Sequence, residues 1–248
     1  MCPIDRERAS LPCGKGTRAV SSGAMVFHLF GYGSLITTPE HEERVIGRDL
    51  AVLPGYRRLF NKRSPTRGCP REDAFDAFAI PPAFERPSAI QSLAVGTIVQ
   101  ADASVGGVAL EYAAQHEADV LRETDRREGY DASAQTAGQG YLRVSVTLGR
   151  PHLGDTIDSW TFLSNPGGPY DVDLTLDQRA RILISATPRP ETPTALAGRA
   201  RGIGYLEQLR LRLFELGWID PDLEQQALAI LDHHGPWTSL VAPKRSLS

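Results

Sequence analysis

The order of segments along the chain predicts an α+β domain built on a curled sheet. Strand-like segments come early, mostly before residue 164, and most helix-like patterns come late, from about residue 174 onward. Regular β–α alternation is missing, which argues against a doubly wound sheet. The clearest strand, residues 93–99, is apolar almost throughout, as a strand buried on both faces must be.

Each element has its own signal. Residues 26–31 are a short apolar strand that runs directly into a turn. Within residues 37–48, Pro39 followed by Glu40, Glu42 and Glu43 reads as a helix start with acids in its first turn. Residues 49–53 and 56–61 read as extended pieces divided by Pro54 and Gly55. Residues 61–73 are basic and turn-rich, a solvated loop. Residues 74–80 are apolar and β-like, and residues 81–87 carry three prolines and read as a surface insertion. Residues 108–127 are expected to be a helix, with Leu110, Ala113, Ala114, Glu117, Val120, Leu121 and Thr124 mostly on one face and Gly129 where a C-cap belongs. Residues 141–148 and 158–163 read as strands, and residues 165–169 as a loop. Residues 176–186, 202–216 and 222–232 are helical in pattern, the first two separated by residues 188–194.

The expected organisation is a single domain over residues 25–235, its late helical part covering about 174–234, with a tail at 236–248. Residues 1–24 are polar or small, rich in Pro, Ser and Gly, and lack the apolar core of a signal peptide. They are expected to be a disordered leader or the product of a mis-assigned start.

Composition excludes several classes of function. The 248 residues are 41% hydrophobic and 23% charged, enough for one sizeable core. A net charge of -3 leaves no basic footprint for nucleic acid. No apolar run approaches the ~20 residues that a membrane helix needs. The three cysteines, Cys2, Cys13 and Cys69, are odd in number and lack metal-type spacing, so neither a disulfide scaffold nor a zinc site follows. With no glycosylation sequon, these features favour a reducing cytoplasm.

The most informative motif is Phe30, Gly31, Tyr32, Gly33, Ser34 and Leu35, a strand end with two glycines spaced by a tyrosine. Glycine lets main chain approach closely or take positive φ, so such a strand end can offer main-chain groups to a small zwitterion. Downstream stand Gly55, Tyr56, Arg57, Arg58, Leu59 and Phe60, then Arg67 and Gly68. Further on comes Leu121, Arg122, Glu123, Thr124, Asp125, Arg126, Arg127, Glu128, Gly129 and Tyr130.

In this order the three segments resemble the γ-glutamylcyclotransferase superfamily, most closely its ChaC-like, glutathione-acting branch. The resemblance covers roughly residues 26–171, with a weaker echo at Gly204, Tyr205 and Leu206. It implies a small mixed β-barrel with helices against it. It also implies a lyase-type reaction in which a γ-glutamyl group closes to 5-oxoproline and expels its amine half, with no cofactor and no metal. The partner is a small γ-glutamyl molecule, glutathione first.

The resemblance assigns the catalytic carboxyl to Glu128. On residue pattern alone Glu128 is a charged helix end beside Glu123, Arg126 and Arg127, yet the negative end of a helix disfavours a carboxylate there. A base able to take up a proton suits that position. The resemblance further implies that Tyr32, Gly33, Ser34 and Leu35 hold the γ-glutamyl end through main-chain groups, and that Arg67 and Tyr205 bind substrate. Arg67 also reads as one solvated arginine among Arg57, Arg58, Lys62, Arg63 and Arg71, and Tyr205 as a core or cap tyrosine. Thr66 replaces the family's histidine and Thr37 a common tryptophan, departures that bear on substrate choice more than on reaction type. Two alternatives stay open: the same cyclisation on another γ-glutamyl amino acid or amine, and a non-catalytic binding module on the same fold. His233 and His234 read as surface residues. The glycines in residues 198–204 lack a preceding strand and a Walker lysine. Ser34 lies outside the G-x-S-x-G pattern of a nucleophile elbow.

Overall fold

A computed structural model of the chain describes residues 25–64, 69–70, 92–133, 141–164, 174–185 and 202–234. The expected leader 1–24, the β-like run 74–80, the Pro-rich insertion, the loop 165–169, the separator 188–194, the tail 236–248 and Arg67 lie outside the described residues.

Strand β1 (Val26–Gly31) leads into a 3-10 turn, Ser34–Ile36. β2 (Val45–Ser64) and β4 (Ser92–Ala113) are long, and β3 (Cys69–Pro70) is a two-residue strand on the edge of β4. α1 (Glu117–Glu128) follows, then the hairpin of β5 (Tyr141–Arg150) and β6 (Asp155–Ser164). α2 (Leu176–Ser185), α3 (Ile203–Glu215) and α4 (Pro221–His234) come last. The sheet order is β1-β6-β5-β2-β4-β3, and β1 also pairs with β4. That extra pairing closes five strands into a barrel with helices against it, the α+β architecture expected from the sequence. The barrel is mixed, because β1 runs parallel to β6, at Leu29 and Trp160, and antiparallel to β4.

β2 is one strand of 20 residues, where the sequence suggested two pieces. Register shifts at Pro54/Tyr56 and Phe60/Lys62 let it bend, and Gly55 at φ 81 supplies the left-handed backbone of the first bend. Such irregularities curl a long strand around a barrel.

Two expected helices are corrected. Within residues 37–48 only a single 3-10 turn forms, Glu42–Arg44, and β2 starts at Val45. β-branched Val45 and Ile46 favour the extended chain, and β4 is there to pair with it. Residues 108–113 belong to β4, and α1 begins at Glu117. Both edges of this stretch are taken, by β1 from Val26↔Ala113 to Gly31↔Val108, and by β2 from Val45↔Tyr112 to Leu50↔Val108. Val108, Leu110 and Tyr112 make one face apolar and Ala109 and Ala113 flank Glu111 on the other, so Glu111 alone marks the two-residue alternation.

The core has two compartments. Phe30, Tyr32, Ala51, Leu53, Ile98, Val105, Ala109 and Leu148 come from the strands and the adjoining turn and fill the barrel. Phe27, Leu29, Val108, Leu110 and Tyr112 alternate with them along β1 and β4, and pack with Val120, Leu206, Leu209, Ile182, Leu223 and Ile230 of the helices. Each such buried aliphatic side chain contributes about 1.5–3 kcal/mol. α4 is pinned to the barrel at its start. Asp220 caps it through the Leu223 N–H at 3.1 Å, and its carboxylate lies 3.2 Å from the buried Arg58 guanidinium. Arg58 also donates to the Gly106 carbonyl at 2.5 Å, and its own N–H donates to Asp222 at 2.7 Å.

Candidate active site

Glu128 is the last residue of α1, and Gly129 stops the helix in the left-handed conformation at φ 72, its N–H bonded to the Asp125 carbonyl. Glu117 and Asp119 in the first turn and Arg126 and Arg127 in the last complement the helix dipole. The C-terminal end of α1 is held on β5 by Arg143, which donates to the Asp125 carboxylate at 2.7 Å and lies over the rings of Tyr130 and Trp160. Burial pushes the Asp125 carboxyl up from its ordinary value, and the Arg143 charge and hydrogen bond only partly counter this.

The turn after β1 meets this helix end. Ile36 N–H donates to Gly33 O at 3.0 Å, and Thr38 N–H to Ser34 O at 2.9 Å, so the turn is internally bonded. Neither glycine of the motif takes positive φ. They are needed for space: a Cβ on Gly31 would stand 2.8 Å from the Leu35 Cβ, and one on Gly33 would stand 3.1 Å from the Tyr205 hydroxyl.

Glu128 and the turn share one narrow cleft, lined by Tyr32, Gly33, Ser34, Leu35, Gly96, Glu128, Tyr141, Phe162 and Tyr205, with a volume of about 30 Å³. Six of the seven expected site residues therefore come together, and the seventh, Arg67, lies outside the described residues. Sequence reasoning missed Gly96, Tyr141 and Phe162. A signal existed for Gly96, since a glycine inside a strong strand marks a close approach, and here the approaching group is the Tyr205 ring. Tyr141 donates to the Gly96 carbonyl at 2.9 Å, which ties β5 to β4 under the cleft.

Tyr32 donates its hydroxyl to the Phe162 carbonyl at 2.5 Å, and burial, then the Glu128 charge, pushes its ionisation well above the usual phenol range. It stays a donor at any ordinary pH. The Glu128 side chain is 11% exposed, with the Arg127 Nε 3.3 Å from its Oε1. A carboxyl so placed can exchange a proton with an amine bound beside the turn. Among the described residues no group of three or more His, Cys, Asp or Glu is placed to hold a metal ion, and no helix is long and apolar enough to cross a membrane.

No protein-family model and no curated protein sequence matches the chain. Solved structures do. A yeast γ-glutamyl cyclotransferase specific to glutathione, as its selenomethionine form, superposes with a TM-score of 0.55 at 17% identity, covering 85% of this chain and 99% of that one. This chain has the γ-glutamyl cyclotransferase fold. A second structure of the yeast enzyme superposes at 0.52, again at 17% identity, covering 84% of this chain and 99% of that one. At this identity the likeness is one of fold. Within the γ-glutamyl cyclotransferase fold, the cleft lies where the end of α1, the turn after β1 and the start of α3 converge on the barrel.

Proposed function

We propose that the chain is a γ-glutamylcyclotransferase, a cofactor-free cytoplasmic enzyme that converts a γ-glutamyl amide to 5-oxoproline and a free amine. The observation that carries this reading is the Glu128 carboxyl sharing one cleft with residues 32–35, which come from a segment more than 90 residues earlier. The fold and the sequence motifs support it independently.

In this mechanism the turn holds the γ-glutamyl end folded, so that the α-amino group faces its own γ-carbonyl. Such pre-orientation is worth about 7–11 kcal/mol in a well-aligned intramolecular step. Glu128 takes a proton from the α-ammonium. The freed amine attacks the γ-carbonyl carbon, a C–N bond forms, and main-chain donors of the turn steady the oxyanion. The old amide C–N bond then breaks as Glu128 returns the proton to the leaving nitrogen, and the ring nitrogen gives its second proton through the freed Glu128 carboxylate to the released amine, which departs as an ammonium. Atoms and charge balance with no external reagent.

Glutathione is the first substrate to try, with cysteinylglycine as the leaving half. The test is 5-oxoproline release from glutathione and from a panel of γ-glutamyl dipeptides and amines, beside Glu128→Gln. Turnover on glutathione that the variant lacks supports the full reading. Turnover only on other γ-glutamyl compounds keeps the reaction and moves the substrate. Folded protein that turns over none of them is not an enzyme of this kind, and a binding role on the same fold then leads.

A further inference from the structure

We propose that Arg127 is a positioning residue, a strap that sets the distance between the substrate-holding turn and the Glu128 carboxyl. The inference rests on the reaction proposed above. Both terminal guanidinium nitrogens donate to residues of the turn and the acid beyond it, and the third nitrogen lies close to Glu128. Nη2 donates to the Ser34 hydroxyl at 2.7 Å. Nη1 donates to the Thr38 carbonyl at 2.5 Å and to the Glu40 carboxylate at 2.9 Å. Nε lies 3.3 Å from Glu128 Oε1 and, though buried, has no hydrogen-bond partner of its own among the described residues. One rigid planar group thus touches the turn at its first residue, its far end and the acid that follows, while its Nε lies near the Glu128 carboxyl.

A plainer role for an arginine here is to complement the C-terminal end of α1. Its neighbour Arg126 does that and only that: its side chain is 80% exposed and pairs with Glu123 one turn back. The Arg127 side chain is 13% exposed and leaves its own helix to bond residues 87–93 positions earlier. Lysine, a point charge on a flexible stem, cannot hold this fork.

The strap acts through Glu128 and the turn, so its loss misplaces a reacting pair while leaving substrate contacts in place. Arg127→Gln should lower kcat by about 10–100-fold with KM changed by less than about threefold, the signature of a near-attack geometry lost by an ångström or less. Arg127→Lys, which keeps the charge but loses the fork, should share most of that loss. In the unliganded protein the amides of Ile36, Thr37 and Thr38 should exchange about tenfold faster in Arg127→Gln, with those of Leu29 and Leu110 in the barrel unchanged. Arg126→Gln is the control and should alter neither readout. An Arg127→Gln protein with wild-type kcat, or with unchanged exchange at the three turn amides, overturns the inference while the function stands. So does full activity in Arg127→Lys, which would reduce the role to charge. A wild type inactive on every γ-glutamyl compound overturns the function itself, and the positioning role with it.

Discussion

The Tyr205 hydroxyl fits against two glycines at once, 3.1 Å from where a Cβ on Gly33 would stand and 3.5 Å from one on Gly96. Residues from the turn, β4 and α3, far apart in the chain, are thereby matched to a single atom. Gly33→Ala forces that hydroxyl to move by a few tenths of an ångström and should cost about 1 kcal/mol of stability. Tyr205→Phe removes the obstructing oxygen, so the double variant should recover much of the Gly33→Ala loss. Denaturant melts of the four proteins give the coupling, and strictly additive losses would show that the two residues do not meet.

Tyr32→Phe tests the bond from the turn to β6. The buried Phe162 carbonyl loses its donor, at a cost of about 1–2 kcal/mol near pH 7. The contribution shrinks at alkaline pH. The folded phenol ionises well above its ordinary range, whereas the unfolded one ionises near pH 10. The stability from Tyr32 is therefore complete below about pH 10 and drains away as pH rises toward the folded value. Wild type should lose stability faster than Tyr32→Phe above that point, and parallel pH curves would refute the assignment.

Arg143→Met should be destabilising in a pH-dependent way. It removes the two influences that hold the Asp125 carboxyl down and leaves burial, which pushes it up. Asp125 is 7% exposed. At about pH 3 and below the carboxyl is largely protonated, folded or unfolded, and only the lost ring contacts count. As pH rises through the raised folded value, an unpartnered carboxylate must be buried or the fold loosened. The loss should grow to about 2–3 kcal/mol by pH 7. Thermal melts at about pH 3 and pH 7 measure it, and an equal loss at both would count against a buried ion pair.

Gly107→Ala should damage the barrel seam. A Cβ there would stand 2.5 Å from the Gly31 carbonyl oxygen and 2.5 Å from the Phe30 ring. Main chain cannot step aside as a flexible side chain can. The expected loss is about 3 kcal/mol. By contrast, Gly149→Ala meets nothing within 4 Å and should be near neutral. Chemical denaturation of the pair decides it.

Much of this was legible in the residues, and the failures have physical causes. The hairpin of β5 and β6 showed because its strands alternate, and α2, α3 and α4 because each has one apolar face. Residues 108–113 were misread because Val108, Leu110 and Tyr112 face the helices while Ala109 faces the barrel interior, so a strand buried on both sides imitates an apolar helix. The short range of a sequence window also hid the partners of Glu128. The turn and the helix end each had a signal, but Arg127 looked like helix-end charge, and only the folded chain takes it to Ser34 and Glu40. Tyr141 and Phe162 had no polar pattern to mark them, since their place at the cleft follows from barrel closure.

The seam of that closure has a consequence for synthesis. β1 emerges from the ribosome first among the barrel strands, and its two neighbours are β4 and β6, the latter ending at Ser164. At ordinary elongation speeds the wait for β6 is on the order of ten seconds. During it a row of unpaired main-chain groups lies open to any other nascent strand. β1 is only six residues long, which limits the damage such an edge can do. Crowded expression should therefore favour aggregates seeded before residue 164 is made, and slower initiation, which spaces the nascent chains apart, should raise the soluble yield.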